Sequence, residues 1–305
     1  MKKIAHCLLY GLISLLSWLP FRVLYMLADS AYFAMYRVAG YRKKIVRKNL
    51  RNSFPDLDKT ALKAIEKDFY RNFADYIFET IKYKSVSYEK LRRRMTFENV
   101  SLIERHFAEG KSVVAYFSHC GNWEWVTLMG EQFRGQPDKQ LAEIYRPLKD
   151  KWMDALMLRI RTRFNTLCIP KKTALRELLT LRRDGILTCT GFMSDQKPSH
   201  GDQLHVVEFL NQPTAVITGT ETLARKMGMA VVYFDITRLS RGHYHLRVVP
   251  MADDASLTPE FALTNQYFSL LQANILRQPS LWLWTHNRWK HPVPQQAIKQ
   301  KSVES

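Results

Sequence analysis

The stretch SVVAYFSHCGNWEWVTLM (residues 112–129) joins an apolar, β-favouring segment to an apolar, helix-like segment through a short polar turn. Its first six residues predict a buried strand, and residues 125–133 predict a helix. Gly121 and Asn122 lie between the two and let the chain change direction. Strands that alternate with helices are typical of α/β folds. The stretch therefore favours an α/β protein.

The same alternation continues towards the C-terminus. Strand candidates lie at residues 112–117, 141–145, 186–190, 230–234 and 244–249. Helix candidates lie at residues 125–133, 151–161, 174–183, 219–227 and 259–277. The last helix has clear boundary signals, with Thr258 as N-cap, Pro259 in the first turn and Pro279 as the stop. We therefore expect a mixed sheet flanked by helices.

The sequence of the N-terminal third predicts helices. Residues 58–84 predict a long amphipathic helix with apolar positions three and four apart and Asp58 as its N-cap. Residues 4–27 are mostly apolar, but Pro20 and Arg22 interrupt them. The apolar run before Pro20 is shorter than the about 20 residues that a membrane-spanning helix needs.

A dense basic cluster follows this apolar segment. Its members are Arg37, Arg42, Lys43, Lys44, Arg47, Lys48 and Arg51. Basic residues beside an apolar anchor are typical of the cytoplasmic leaflet of a membrane. We expect residues 1–39 to form a membrane-anchoring helix that either spans the bilayer or lies in its interface. Residues 40–298 then form the main domain, and residues 299–305 a polar tail.

The composition narrows the classes of partner. The chain has 305 residues, with 46 Lys and Arg against 28 Asp and Glu, a net charge of +18. Such a charge suits nucleic acid, an anionic membrane, a phosphorylated substrate or an acidic protein. Nucleic acid is disfavoured because no RNP, zinc-finger or leucine-zipper pattern is visible. The four cysteines form no CxxC pair, which argues against a zinc ribbon and suits a reducing compartment.

His119 and Glu124 are the candidate catalytic pair. On one straight helix, residues five apart would point about 140° away from each other, but the turn at Gly121 and Asn122 allows them to meet. Glu124 could then hold the imidazole in one tautomer while the other ring nitrogen accepts a proton. The alternative is a partly buried histidine that bonds a backbone carbonyl. Arg146 and Asp195 also follow predicted strands, where functional residues of α/β sheets gather.

Several sequence blocks, taken in order, resemble those of the bacterial lipid A biosynthesis acyltransferases over nearly the whole chain. The blocks are VRKNL (46–50), FP (54–55), FET (78–80), HCGNWE (119–124), YRP (145–147), DQ (195–196), FL (209–210), TGT (218–220), LAR (223–225) and PSLWLWTHNRWK (279–290). The resemblance implies a glycerolipid-acyltransferase-like α/β fold, with residues 40–298 as the acyltransferase catalytic domain.

The resemblance also implies a reaction and a place for it. An O-acyltransferase would move a fatty acyl chain from an acyl carrier protein thioester to a hydroxyl of a phosphorylated lipid A precursor, as secondary acylation in lipopolysaccharide biosynthesis. It would need no metal and no diffusible cofactor. Its partners would be acyl carrier protein, the phosphorylated glycolipid and an anionic membrane, with no nucleic acid. The catalytic domain would face the cytoplasm at the inner membrane.

Roles for individual residues follow from the same resemblance. His119 would be the general base and Glu124 would orient it. Arg146, Asp195 and Arg288 would contact the substrate. The alternative for Arg146 is an ion pair to Asp195, and the alternative for Asp195 is to support the pair of His119 and Glu124.

Two further functions stay open. The H-x-G-N-W-D/E pattern at 119–124 also occurs in related acyltransferases, so the acceptor could be another glycolipid or a lysophospholipid. The second is of a different class, a basic membrane-associated protein without catalysis that binds lipid or nucleic acid. The intact pair of His119 and Glu124 speaks against it.

Overall fold

The computed structural model describes residues 2–199, 205–290 and 293. Its strands are β1 (Met95–Glu98), β2 (Val113–Phe117), β3 (Lys139–Tyr145), β4 (Thr166–Pro170), β5 (Leu187–Met193), β6 (His205–Phe209), β7 (Gln212–Val216), β8 (Ala230–Ser240) and β9 (His243–Ala252). Seven of them form one sheet in the order β1-β9-β8-β2-β5-β3-β4, and β6 and β7 form a separate hairpin. Within the large sheet, β8 and β9 pair antiparallel and the other neighbours pair parallel.

Helices surround the strands. They are α1 (Lys2–Trp18), α2 (Phe21–Phe33), α3 (Lys43–Ser53), α4 (Lys59–Tyr83), α5 (Tyr88–Leu91), α6 (Ser101–Ala108), α7 (Lys151–Arg161), α8 (Ala174–Arg183), α9 (Gly219–Met227) and α10 (Ala262–Arg277). A 3₁₀ segment runs over Trp123–Phe133 after β2, and shorter 3₁₀ turns precede β4 and follow α10. The prediction of an α/β protein with a mixed sheet flanked by helices is confirmed.

The central strands are buried on both faces. All five residues of β2 are buried, as parallel strands covered by helices on two sides should be. Alternate residues enter different apolar clusters: Val114 and Tyr116 join the one that contains α10, and Val113, Ala115 and Phe117 join the one around the 3₁₀ segment. This period of two is the geometry of a strand, and it gives the sheet two cores.

Several element boundaries differ from the prediction. The helix predicted at 125–133 is a 3₁₀ segment that begins at Trp123. The helix predicted at 259–277 begins at Ala262 instead, because Phe261 has a left-handed φ of 63° and interrupts it. Thr258 is therefore not its N-cap, and its hydroxyl donates to the carbonyl of Ala255. The N-cap prediction for α4 is confirmed, since Asp58 accepts from the Ala61 N–H at 2.7 Å.

The apolar N-terminal segment forms two helices that are separated at Pro20. Within the described residues, none of the helices combines the length and the apolar character that crossing a membrane requires. The predicted anchor over residues 1–39 is thus not supported as a spanning helix. The predicted polar tail over residues 299–305 lies outside the described part of the chain.

Candidate active site

The candidate site lies at the carboxyl ends of neighbouring parallel strands. β2 and β5 pair in a register that places Phe117 opposite Met193. His119 and Asp195 each come two residues further on, so both leave the sheet at the same level. Residues 76 positions apart in sequence therefore meet at one sheet edge, where α/β proteins place their ligands.

Asp195 is the hydrogen-bonding partner of the His119 ring. Its Oδ1 lies 2.7 Å from His119 Nδ1, and its Oδ2 accepts the His119 backbone N–H at 3.2 Å. Oδ2 also accepts the indole N–H of Trp282 at 2.9 Å. Burial alone would raise the pKa of Asp195, but the His119 charge and these hydrogen bonds lower it to about 2. Asp195 is therefore a buried, ionised carboxylate.

This carboxylate determines the state of the imidazole. Burial opposes protonation of His119, yet the charge of Asp195 and its hydrogen bond raise the pKa of the ring above its ordinary value. Because Asp195 only accepts hydrogen bonds, the neutral ring carries its proton on Nδ1. The other nitrogen, Nε2, then keeps its lone pair and lies 3.2 Å from the amide nitrogen of Gln196. His119 is thus arranged to accept a proton at Nε2.

Glu124 lies close to this pair but has another partner. Arg161 at the end of α7 donates to both of its carboxylate oxygens, from Nε at 2.8 Å and from Nη2 at 2.6 Å. The side chain of Glu124 is 2% exposed and that of Arg161 is 15% exposed, so this is a buried ion pair. The predicted hydrogen bond from Glu124 to His119 is therefore not the one that the structure shows. The charge of Glu124 nevertheless favours the protonated form of His119.

The turn that joins His119 to Glu124 is as predicted. Gly121 has a φ of +60°, in the left-handed region that favours glycine. A Cβ at this position would also approach Ile236 to 3.3 Å and Tyr244 to 3.4 Å. The neighbouring thiol of Cys120 is buried, and burial raises its pKa.

The two predicted arginines lie in different surroundings. Arg146 is exposed directly after β3, and none of the described residues forms a hydrogen bond or ion pair with its side chain. Its alternative role as an ion-pair partner of Asp195 is wrong, because His119 and Trp282 take that carboxylate. Arg288 is 3% exposed and donates from Nη2 to the Ala215 carbonyl at 2.6 Å. Burial lowers its pKa to about 10.

A C-terminal segment packs against the turn at residues 119–122. Trp282 pairs with Cys120 in a β-bridge, and the Gly121 N–H donates to the Leu281 carbonyl at 3.1 Å. His286 accepts the Lys197 backbone N–H at Nε2, 3.3 Å away, and burial lowers the pKa of this ring to about 4. Residues 281–286 therefore contact the chain on both sides of the pair, at Cys120 and Gly121 after His119 and at Lys197 after Asp195.

The same segment is tied to the basic helix α3. The side-chain amide of Asn49 donates to the carbonyls of Trp284 and His286, each at 3.0 Å. Arg42, next to the start of α3, donates to the Thr285 carbonyl at 3.1 Å. The VRKNL and PSLWLWTHNRWK blocks, far apart in sequence, thus form one structural unit beside the site.

Two neighbouring cavities lie near the site. A polar cleft of about 520 Å³ lies between α2, α4, the β8–β9 turn and residues 278–281. An aromatic crevice shares Asn72, Ser280 and Leu281 with it and continues to Gly121 and Trp123. The Trp123 ring lies edge-on to the His119 ring, with centroids 5.1 Å apart. One wall of the crevice, the Trp123 ring, is therefore in contact with the imidazole.

Three residues of this site carry no functional signal in the sequence that singles them out. Arg161 carried only the signal of a basic residue in the last turn of a helix, which the helix dipole explains equally well. Trp282 lies in the PSLWLWTHNRWK block with no signal that separates it from its neighbours there, and its indole N–H donates to Asp195. Glu143 lies within a predicted strand and carried no signal. Its carboxyl group is 6% exposed.

No group of three or more His, Cys, Asp or Glu side chains in residues 2–199, 205–290 and 293 is arranged to hold a metal ion. The prediction that the chemistry needs neither metal nor cofactor stays a prediction, as do the assigned roles of the site residues.

Comparison with known proteins adds the family context. A family model described as "Bacterial lipid A biosynthesis acyltransferase" matches residues 2–291. The chain is 23% identical over 293 residues to the lipid A biosynthesis palmitoleoyltransferase of Escherichia coli (strain K12), covering 95% of this chain and 93% of that protein. It has the same identity and coverage with the lipid A biosynthesis acyltransferase of Shigella flexneri.

Proposed function

The chain belongs to the bacterial lipid A biosynthesis acyltransferase family and is an acyltransferase of lipid A biosynthesis, and we propose that it moves a fatty acyl chain from an acyl carrier protein thioester to a hydroxyl of a phosphorylated lipid A precursor. The observation that carries this proposal is the His119–Asp195 pair, with Nδ1 and Oδ1 2.7 Å apart and Nε2 left to accept a proton.

The first step is the activation of the acceptor. His119 Nε2 takes the hydroxyl proton as the hydroxyl oxygen attacks the thioester carbonyl carbon. Asp195 holds the ring in the Nδ1–H tautomer and stabilises the imidazolium that forms. General-base catalysis of this kind contributes about 10²–10⁴-fold to the rate. The acceptor hydroxyl displaces the Gln196 amide from Nε2 as it binds.

The second step releases the carrier. The tetrahedral oxyanion collapses, the C–S bond breaks, and the thiolate leaves with the electron pair of that bond. The imidazolium then returns its proton to the thiolate, so that the products are the ester and the free carrier thiol. The thiolate is a good leaving group, so the reaction requires neither a covalent acyl-enzyme nor a cofactor.

The other predicted site residues take supporting roles in this proposal. Glu124 acts through its charge and through Arg161, which it fixes with two hydrogen bonds. Arg146 is exposed at the end of β3 and is the candidate for contact with a substrate phosphate. Arg288 is buried, and its Nε has no partner within the described chain, so a substrate contact would have to reach it from the interior.

A membrane-bound acceptor suits the surface of α1. Ile4, Leu8, Leu12, Leu15 and Trp18 lie along one side of this helix and are 52–75% exposed. Such a stripe matches a helix that lies in the membrane interface with its apolar face in the lipid.

The position of α1 relates this surface to the site. The His6 ring stacks on Trp152 with centroids 4.8 Å apart. Trp152 lies in the first turn of α7, the helix that follows β3 and Arg146. The exposed stripe and this contact support the proposal that the enzyme works at a membrane surface, which we take to be the cytoplasmic face of the inner membrane.

Basic residues supply a surface for acidic partners. Lys44, Lys48 and Arg51 are exposed along α3 at spacings of four and three, and Asn49 of the same helix contacts the segment behind the site. The net charge of +18 has the sign that suits an acidic carrier protein, lipid phosphates and an anionic leaflet alike.

A transfer assay tests the reaction. Purified protein in detergent receives radiolabelled acyl carrier protein thioesters of several chain lengths and a tetra-acylated lipid A precursor. We expect an acylated product that is lost in His119→Ala. The matched control is His245→Ala, because His245 pairs with Glu98 at the far side of the sheet.

The outcomes separate the alternatives. Folded wild-type protein that acylates a lysophospholipid or another glycolipid, and not the lipid A precursor, would contradict the acceptor. Folded protein inactive with every donor and acceptor would contradict the catalytic function and favour a lipid-binding role.

A flotation assay tests the membrane proposal. Wild-type protein should float with vesicles that contain anionic lipid, and Leu8→Asp combined with Leu12→Asp should reduce the bound fraction. Leu257→Asp is the control, since Leu257 is 84% exposed and lies after β9. Equal binding of the double variant and the control would rule out α1 as the contact.

A further inference from the structure

The reaction described above leaves the negative charge of its intermediate without a partner. When the acceptor hydroxyl attacks the thioester, an electron pair of the C=O double bond moves to the carbonyl oxygen. The tetrahedral oxyanion that forms has to be stabilised until the C–S bond breaks, and preorganised hydrogen-bond donors of the protein are the usual means. Such a donor has to lie close to Nε2 of His119, because the attacking oxygen does.

Two side-chain donors near His119 are already engaged by carboxylates. The indole N–H of Trp282 donates to Asp195 at 2.9 Å. Nε and Nη2 of Arg161 donate to Glu124 at 2.8 Å and 2.6 Å. Turning Arg161 away would leave the buried Glu124 carboxylate uncompensated, which is costly. Both donors therefore stay with their acids during the reaction.

Gln196 is a donor that has to change its partner. Its side-chain amide nitrogen lies 3.2 Å from His119 Nε2. Because Asp195 keeps the ring proton on Nδ1, Nε2 presents only a lone pair, and the amide donates to it. The acceptor hydroxyl needs the same lone pair. The amide N–H is therefore released when the acceptor binds.

The backbone around Gln196 is fixed on both sides. Before it, Asp195 accepts hydrogen bonds from the backbone and the ring of His119. After it, the backbone N–H of Lys197 donates to His286 Nε2 at 3.3 Å. The Gln196 side chain itself is partly exposed, so it can rotate about its own bonds while the turn that carries it keeps its place.

The geometry of the attack brings the released amide to the oxyanion. The acceptor oxygen takes the position of the amide, at hydrogen-bonding distance from Nε2. It becomes bonded to the carbonyl carbon, so the oxyanion lies only two covalent bonds from the atom that displaced the amide. A hydrogen bond to a charged acceptor is about twice as strong as one between neutral groups. The change of partner therefore stabilises the transition state more than the ground state.

We propose that Gln196 is a catalytic residue whose side-chain N–H donates to Nε2 of His119 in the free enzyme and to the oxyanion of the tetrahedral intermediate during transfer. This catalytic role rests on the proposed function, whereas the contact in the free enzyme does not. The amide keeps its protons throughout. When the intermediate collapses, the oxyanion returns its electron pair to the C=O bond as the thiolate leaves.

The rate of transfer measures the catalytic role. Gln196→Ala should lower kcat and kcat/KM together by about 10²–10³-fold, the cost of losing one donor to an oxyanion. Gln196→Glu has the same size, but its ionised carboxylate donates no hydrogen bond, so it should be impaired at least as much. Gln132→Ala is the matched control, because Gln132 is exposed near the far end of the 3₁₀ segment.

The outcomes of this assay are distinct. If Gln196→Ala and the control had the same kcat in an active enzyme, Gln196 would not stabilise the intermediate and the inference would be overturned. Wild-type protein that is inactive with every acceptor would contradict the proposed function, and the catalytic role would be lost with it. The contact in the free enzyme is then decided by a second experiment that needs no activity.

Chemical modification of His119 is that experiment. Diethyl pyrocarbonate reacts with neutral imidazole, and mass spectrometry of the peptide that contains His119 gives the rate of modification against pH. A donor to Nε2 favours the neutral ring, so Gln196→Ala should raise the midpoint by about 0.5–1 pH unit. The variant retains the charged and titratable groups that act on this ring, which are Asp195, Glu124, Arg161 and His286. A midpoint equal to that of the wild type would show that the amide does not donate to Nε2, and would overturn the inference.

Discussion

At the scale of single residues, the site depends on which acid holds His119. Asp195 is hydrogen-bonded to Nδ1 and Glu124 is hydrogen-bonded to Arg161, so the two acids should have different effects when changed. Loss of Asp195 alters the tautomer of the base itself. Loss of Glu124 releases a buried cation next to the base.

Asp195→Asn should therefore impair the chemistry while the fold is kept. An amide can present an N–H to Nδ1, which stabilises the wrong tautomer, and we expect the rate of transfer to fall by about 10²–10⁴-fold. The remaining activity should have its acid limb at lower pH, because the negative charge that raises the pKa of His119 is gone. Steady-state rates across pH measure both effects.

The control for this change is Asp68→Asn, an exposed aspartate that pairs with Arg71 on the same helix. If Asp195→Asn kept normal activity and an unshifted dependence of rate on pH, the hydrogen bond from Asp195 to His119 would not be needed for transfer.

Glu124→Gln should mainly destabilise the protein. Arg161 would be left as a charge that is 15% exposed with half of its buried pair removed. Breaking a buried pair on one side costs about 3–5 kcal/mol. The free energy of unfolding in urea measures the loss, and the double variant Glu124→Gln with Arg161→Met should recover part of it.

The comparison for this prediction is Glu89→Gln. Glu89 pairs with Arg92 at 2.6 Å, but both side chains are more than half exposed, so its loss should change the stability little. If the two variants lost the same free energy of unfolding, the buried Glu124–Arg161 pair would stabilise the protein no more than an exposed pair does.

At the scale of elements, the 3₁₀ segment Trp123–Phe133, which carries Glu124, packs closely at Gly130 against the turn that follows α7. A Cβ at Gly130 would lie 2.3 Å from the Phe164 carbonyl oxygen and 2.7 Å from that of Asn165. Backbone atoms cannot move aside as a flexible side chain can. Gly130→Ala should therefore destabilise the protein by about 1–3 kcal/mol.

Thermal unfolding measures this cost. Gly219→Ala at the start of α9 is the control, since a Cβ there has nothing within 4 Å. If the two variants unfold at the same temperature, the segment and the turn over residues 162–164 are not packed as closely as the structure indicates.

The elements that were predictable are those with a local signal. β2 is a continuous apolar run, and Asp58 precedes a regular amphipathic pattern, so both were identified from a few residues. The 3₁₀ form of residues 123–133 and the start of α10 were not, because each is imposed by contacts or backbone geometry that the composition does not reveal. β6 and β7 form a separate hairpin and were missed.

The candidate site shows the same limit. His119 and Asp195 were both identified because each follows an apolar strand. Their contact depends on β2 and β5 being neighbours in register, although β3 and β4 come between them in the chain. Strand order is a property of the assembled sheet, so the sequence could suggest Glu124, five residues away, and could not show that Asp195 takes its place.

At the scale of the whole molecule, the buried titratable groups His286 and Asp195 should make the free energy of unfolding depend on pH. His286 has a pKa of about 4 in the folded chain, below its ordinary value of 6.5, because it is buried. The unfolded chain therefore binds more protons than the folded chain between these values, and stability is lost as the pH falls from 6.5 towards 4.

Asp195 adds a second loss at lower pH. Despite its burial, the charge of His119 and the hydrogen bonds it accepts lower its pKa from 3.8 to about 2. Its contribution of about 2 kcal/mol is fully present above pH 3.8 and disappears as the pH falls through 2.

Urea unfolding at a series of pH values from about 7.5 to about 2 tests this dependence in the intact protein. The wild type should lose stability in the upper window, and His286→Gln should flatten that part of the curve because the glutamine has no proton to bind. The lower window should remain in His286→Gln and shrink in Asp195→Asn. A wild-type curve that is parallel to that of His286→Gln between pH 6.5 and 4 would mean that His286 titrates alike in both states. The hydrogen bond from the Lys197 N–H to His286 would then not contribute to stability as a bond to a neutral ring. The C-terminal segment would be attached to residues 119–122 through Trp282 and the backbone hydrogen bond of Leu281 alone.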